Sequence, residues 1–115
     1  MLLLAATTAL AETPLPTTGH DYEPTLDDLS AAEILETSRL SPSGRERARL
    51  RGYLAVNRPE TAEGVLSRAW IATRNGDDPQ AEGLYHTALK MDPTSALALN
   101  NLAAVLSRLD RHAEQ

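Results

Sequence analysis

Apolar residues recur along the chain at the spacing of helix faces, in segments of about 13 residues separated by short polar joints. Ala31, Ile34 and Leu35 mark one such face, because positions three and four residues apart lie on the same side of a helix. Gly, Pro, Ser, Thr and Asp occupy the joints. The pattern predicts helices over about residues 26–40, 44–57, 62–75, 79–91 and 96–109, with a sixth beginning near Arg111.

Start and stop signals support these boundaries. Thr25 and Ser43 each precede an acidic residue by three positions, which is the pattern of a capping box. Gly76 is placed to end the third helix in the left-handed backbone region. Asp78 followed by Pro79 predicts the N-cap and first residue of the fourth helix, since proline is favoured at that first position.

The helices repeat with a period of about 34 residues. At this offset Pro59 matches Pro93, and the helix boundaries are in phase. Six further positions agree in identity or in chemical type, and the sequence therefore predicts a repeated helix–turn–helix unit. These pairs are Thr61 and Ser95, Ala62 and Ala96, Val65 and Leu99, Ala69 and Ala103, Thr73 and Ser107, and Arg74 and Arg108.

Such a unit resembles the tetratricopeptide repeat family. The second helix of that repeat carries a small residue, an aromatic residue four positions later, then alanine and finally proline. Ala81, Tyr85, Ala88 and Pro93 stand at these places. The resemblance is good over residues 62–115 and weak over 28–61.

The resemblance implies an all-α fold, a right-handed stack of antiparallel helical hairpins with about 2–2.5 repeats (a TPR-like α-solenoid). In the weakly matching part, Arg47 and Arg51 replace the small and the aromatic residue, so this part is either a degenerate or capping repeat or an unrelated hairpin. The predicted division is a signal peptide (1–11), a Pro/Thr-rich linker (12–25), a degenerate or capping hairpin (26–61), one repeat (62–95) and an incomplete repeat (96–115).

In this family the first helices line a concave groove that binds peptides or partner helices. The resemblance therefore implies partner-binding roles for the residues at groove-facing places. Other interpretations stay open: Asn101 could brace the joint between repeats, Arg74 and Arg108 could be solvated, and Trp70 could belong to the core. The predicted partner-binding residues are Glu63, Leu66, Trp70, Arg74, Leu97, Asn100, Asn101 and Arg108.

Composition removes several function classes. The 115-residue chain has no Cys, which excludes disulfides, thiolate nucleophiles and Cys-ligated metals. A net charge of −5 argues against a nucleic-acid partner. His20, His86 and His112 lie in separate segments, and no nucleophile motif is present, so we expect neither an enzyme nor a cofactor or metal. The arginines of residues 45–51 leave a nucleic-acid or membrane-surface binder as an alternative.

The first eleven residues, MLLLAATTALA, are apolar and end in a small-x-small pattern before Glu12. This predicts a signal peptide and export to the periplasm or outside the cell. The run is shorter than a membrane-spanning helix, so no integral membrane span is expected. A frayed apolar tail on a cytoplasmic protein is the alternative, because no Lys or Arg precedes the run.

The last predicted helix has almost no second helix to pack against. We expect its face formed by Leu102, Val105 and Leu109 to be exposed, and hence a homodimer through the face of helix 96–109 or a position within a longer protein. The predicted function is protein–protein interaction, as a scaffold or assembly factor with a protein or peptide partner. The alternative is a purely structural, oligomerising segment of a longer repeat protein.

Overall fold

A computed structural model describes residues 25–113, except for the side chain of His112. The predicted signal peptide (1–11) and all but the last residue of the predicted linker (12–25) lie outside the described residues. Both assignments, and the export that depends on the first, therefore stay predictions.

Within these residues, five helices follow a single 3-10 turn at Leu26–Asp28. Each helix packs against its neighbours in the chain, and the first also contacts the third. The described part of the chain is therefore an all-α stack of helical hairpins, as predicted. The helices are α1 (Ala31–Leu40), α2 (Gly44–Asn57), α3 (Ala62–Arg74), α4 (Asp78–Met91) and α5 (Ala96–Ala113).

The start of the first helix differs from the prediction. Thr25 does form a capping box with Asp28, but this box opens only the 3-10 turn. The helix itself begins after Ser30, whose hydroxyl accepts a hydrogen bond from the Glu33 amide while the Glu33 carboxylate accepts one from the Ser30 amide. This second box lies further along the chain than the first, so the predicted start was too early.

The joint before α4 also differs by one residue. Gly76 adopts a φ of +81°, in the left-handed region as predicted. The N-cap is Asp77, whose side chain accepts a hydrogen bond from the Gln80 amide, so Asp78 is already helical and Pro79 is the second helical residue.

The last helix is longer than predicted. It runs without a break through Arg111 to Ala113, so the predicted end at 109 and the sixth helix near Arg111 were wrong for the described residues. The reason lies at Asp110, which stands one repeat period after Gly76. No glycine is available there to take the left-handed conformation that ends α3, and Arg111 instead donates a hydrogen bond back to the Ser107 hydroxyl.

The main core is built where α3, α4 and α5 meet. Small side chains permit this close packing: Ala69, Ala81 and Ala88 are fully buried, and Tyr85 fills the space beside them. A second, smaller cluster lies between α1 and α2 around Ile34. Leu35 packs against both clusters and so connects them.

The exposed face of α5 is not the one predicted. Leu102 and Val105 are buried and Leu109 is partly buried, because all three belong to the core shared with α3 and α4. The large apolar residues left exposed on α5 are Leu99 and Leu106, with 51% and 38% of their surface accessible.

Gly64 lies where α3 approaches the end of α2 closely. A methyl group at this buried position would overlap the backbone carbonyl of Arg58 and come within 3.1 Å of the Leu54 carbonyl oxygen. We expect Gly64→Ala to lower the free energy of unfolding by about 1–3 kcal/mol, measured by urea denaturation.

Gly83→Ala is the matched control. Gly83 is an exposed residue within α4, and a methyl group there meets nothing within 4 Å. Alanine is the better helix former, so this variant should gain about 0.5–1 kcal/mol. A stabilised Gly64→Ala variant would contradict the close approach.

Candidate binding groove

The first helix of each hairpin contributes to one groove of about 380 Å³. Its apolar surface comes from Leu35 of α1, Leu66 of α3 and Leu97 of α5, with Ala62 and Ala96 beside them. The three leucines are buried or half-buried, so the groove presents an apolar floor that is only partly open to solvent.

Four predicted site residues meet in this groove: Glu63, Leu66, Leu97 and Asn100. In α3 and α5 the lining positions are repeat-equivalent, being 62, 63 and 66 in the first and 96, 97 and 100 in the second. The repeat period was therefore sufficient to find this part of the groove from the sequence.

The contribution of α1 was missed. Leu35, Glu36 and Arg39 line the groove with the same i, i+1, i+4 spacing, but the separation of Leu35 from Ala62 is shorter than the repeat period. A search for this spacing without a fixed period could have found them. Asp92, in the turn before α5, was also missed, because turn residues carry no helical pattern.

The groove carries more negative than positive charge. Among the described residues that line it, the acidic ones are Glu36, Glu63 and Asp92, and the one cation is Arg39. Arg39 is already paired, since its Nη1 lies 2.6 Å from Oε1 of Glu36. The groove is thus suited to a cationic rather than an anionic group.

Two other predicted residues form a separate cluster around the indole ring of Trp70. The guanidinium carbons of Arg51 and Arg74 each lie 4.7 Å from the ring centroid, within the range of a cation–π contact. Arg74 is exposed and Trp70 is half-buried. Trp70 follows Leu66 by one helical turn, so the cluster lies about 6 Å further along the same side of α3.

Comparison with protein families gives a match to the tetratricopeptide repeat over residues 84–115. The matched segment covers the second half of α4, the turn at Asp92 and Pro93, and α5. This match supports assignment of residues 84–115 to the tetratricopeptide repeat family. Searches of curated proteins and of solved structures gave no significant match. Tetratricopeptide repeats are protein-interaction modules and are typically non-catalytic scaffolds.

The remaining two predicted residues lie at the joint between α5 and the preceding hairpin. The Asn101 side chain reaches the hydroxyl of Tyr85, as does Thr73. Arg108 makes a bidentate ion pair with Asp78, with Nε–Oδ2 and Nη2–Oδ1 distances of 3.0 and 2.9 Å. This carboxylate raises the pKa of Arg108. In this structure both side chains hold α5 against the preceding hairpin.

Within residues 25–113, no three His, Asp or Glu side chains come together in a way that could hold a metal ion. None of the helices in the same range combines the length and the apolar character required to cross a bilayer.

Tyr85 makes the stability of the main core depend on pH. Burial raises the pKa of its phenol above the ordinary value of 10.0, while the side-chain hydrogen bonds of Thr73 and Asn101 act in the opposite direction. The folded state therefore favours the neutral phenol. Its contribution to stability is complete below about pH 10 and is lost as the pH rises through the folded pKa.

We expect Tyr85→Phe to lower the free energy of unfolding at pH 7. Between about pH 9 and 11, the free energy of unfolding of this variant should fall less steeply than that of the unmodified protein. Urea denaturation at several pH values measures both. Tyr53 also has a raised pKa, from its hydrogen bond to Asp27, so Tyr53→Phe serves as the common background. An unchanged slope on adding Tyr85→Phe would contradict this assignment.

Proposed function

We propose that this protein binds a short segment of a partner protein in the groove between α1, α3 and α5. The segment carries a large apolar side chain next to a basic one. The observation that supports this is the combination of an apolar floor with an acidic rim in one groove.

The apolar floor supplies affinity. Leu35 and Leu97 are half-exposed in the free protein, so a ligand side chain that covers them removes apolar surface from water. This gains about 25 cal/mol for each Å² buried. Asn100 is exposed beside them, and its amide can both donate to and accept from the backbone of an extended peptide.

The acidic rim supplies selectivity. Glu63 and Asp92 have no ion-pair partner among the described residues, whereas Glu36 is paired with Arg39. A Lys or Arg of the ligand can therefore pair with Glu63 or Asp92, and an acidic side chain there would be repelled. Asp92 already accepts two hydrogen bonds from Thr94, which leaves Glu63 as the more adaptable of the two.

This proposal is tested with peptides selected from a random display library on the full chain. We expect the selected peptides to share a basic residue beside a large apolar one. Glu63→Gln should weaken their binding about fivefold, measured by calorimetry, because it removes the charge but keeps the size of the side chain.

Glu60→Gln is the matched control, since Glu60 is exposed in the preceding turn and does not line the groove. Replacing the basic residue of the peptide with glutamine should cost affinity against the unmodified protein and almost nothing against Glu63→Gln. Peptides without a basic residue, or equal losses for both Glu→Gln variants, would count against the groove.

We further propose that two copies of the chain associate through α5. Ala96, Leu99, Ala103 and Leu106 form an exposed stripe that alternates small and large residues at spacings of three, four and three. Such a stripe allows a second helix to approach closely over the alanines and to pack against the leucines.

The equivalent face of α3 is packed in this way within the protein itself. At the same places in α3 stand Val65, Ala69 and Ala72, and all three are buried in the core that α3 shares with α4. The face of α5 that is left exposed therefore corresponds to a face that an antiparallel helix covers in the preceding repeat.

A second α5 in antiparallel orientation suits the stripe better than an unrelated helix. Pairing about the midpoint between Leu102 and Ala103 places Leu99 of one copy against Leu106 of the other. The same pairing places Asp110 of each copy near the start of the other α5, where the helix macrodipole favours a negative charge.

Sedimentation velocity of the full chain tests this association over a concentration series. We expect a species of twice the 12.4 kDa chain mass at high concentration. The variant Leu99→Glu with Leu106→Glu should stay monomeric, because it places charges in the contact. Leu40→Glu with Val56→Glu is the control, as both residues are exposed on α1 and α2. A monomer at all concentrations would contradict the proposal.

A further inference from the structure

Arg51 is an unusual residue to find inside a small helical domain. Only 7% of its surface is exposed, and it lies in α2 where it contacts both α1 and α3. Its Nε donates a hydrogen bond to the Ser38 hydroxyl over 3.1 Å, and its guanidinium stacks on Trp70. Both of these contacts are made with neutral groups.

Nothing in the described part of the chain neutralises this charge. No carboxylate of residues 25–113 lies within ion-pair distance of Arg51. Burial lowers the pKa of Arg51, and so do the neighbouring charges of Arg47 and Arg39, while Tyr85 acts in the opposite direction. Because a buried charge is normally paired, the site holds positive charge without its usual counterpart.

Two more guanidinium groups accompany Arg51. Arg74 is exposed and contacts the same indole ring. Arg47 lies one helical turn before Arg51 and donates a hydrogen bond to the Ser41 carbonyl. Neither Arg47 nor Arg74 has a carboxylate within ion-pair distance among residues 25–113. Arg51 and Arg74 thus contact one indole ring, and Arg47 lies close enough to Arg51 to lower its pKa, in a chain whose net charge is −5.

Comparison of equivalent repeat positions shows how the surroundings of Arg51 differ from those of Tyr85. Arg51 precedes Tyr85 by one repeat period, and both side chains are buried between a hairpin and the helix that follows it. The Tyr85 phenol is neutral, and Thr73 and Asn101 reach its hydroxyl. A guanidinium has five N–H donors, of which Arg51 uses one for Ser38. This joint therefore retains donors and charge that the other joint lacks.

We propose that Arg51 and Arg74, with Arg47 beside them, bind an oxyanion supplied by a ligand, as a carboxylate or a phosphate group. Guanidinium groups match such oxygens in geometry and can contact them in pairs. The indole ring of Trp70 holds Arg51 and Arg74 in place by contact with both. This site uses different residues from the acidic groove and does not depend on the peptide proposed for it.

Trp70 is the only tryptophan of the chain, so the tryptophan fluorescence comes from this site. The full chain is titrated with N-acetyl-diglutamate in one series and inorganic phosphate in another, at constant ionic strength. We expect a saturable fluorescence change with at least one of the two anions. The anion with the lower half-saturation concentration identifies the source as carboxylate or phosphate.

Arg74→Gln and Arg51→Met should each raise the half-saturation concentration about tenfold or abolish the response. Arg45→Gln is the matched control, because Arg45 is exposed at the start of α2 and its loss changes the net charge equally. Arg51→Met should also unfold at a higher temperature, since an unpaired buried charge is replaced by an apolar side chain of similar length.

Arg74→Gln keeps the test decisive even if Arg51→Met fails to fold, because Arg74 is exposed. The proposal is overturned if neither anion gives a saturable response. It is also overturned if Arg74→Gln responds like the unmodified protein, or if Arg45→Gln loses the response to the same extent.

Discussion

The close packing of α3 against α4 is the contact on which the rest of this structure depends. Ala69 and Ala72 of one helix meet Ala81 and Ala88 of the other, and these side chains are buried almost completely. Larger residues would separate the helices and open the space that Tyr85 now fills. Tyr85 then lies against Thr73 and Asn101, so the same packing also positions α5.

This packing determines where the candidate binding surfaces lie. Once α4 covers one side of α3, the other side of α3 faces α1 and α5, and the residues there form the acidic groove. Only one face of α5 is buried in the core. On its other face, Leu99 and Leu106 remain exposed. The groove and the proposed self-association surface are thus consequences of one repeated geometry.

The two hairpin joints differ in charge because a single repeat position differs. At the joint after α4 the side chain buried at this position is the neutral phenol of Tyr85. At the joint after α2 it is the guanidinium of Arg51. An arginine at this place puts a buried positive charge against Trp70, and Arg74 contacts the same ring. The groove side of the protein therefore has an acidic portion near Glu63 and a basic portion near Trp70, one or two helical turns apart.

Local signals in the sequence were enough to predict most of the fold. Caps such as Ser43 act over three or four residues, and the predicted ends at about 57 and 91 agree with the observed ends of α2 and α4 at Asn57 and Met91. The start of α1 required a choice between two capping boxes, which depends on how Leu26 and Leu29 pack against α2. The length of α5 could not be predicted from the period, because the period implied a turn that Asp110 does not make.

The candidate sites, likewise, were predicted only where they follow the repeat. The α3 and α5 parts of the groove are one repeat period apart and were found, whereas the α1 part lies closer to α3 than one period and was not. The burial of Arg51 could not be predicted, because it depends on contacts with Ser38 and Trp70 from two other helices.

We propose that the face shared by α1, α3 and α5 is the partner-binding surface of this protein. Backbone amide chemical shifts of the full chain, measured by NMR before and after adding a selected peptide, test this claim most directly. We expect the largest changes at residues 35–39, 62–66 and 96–100, which line the groove. Changes concentrated on α2 and α4, with these three segments unaffected, would contradict it.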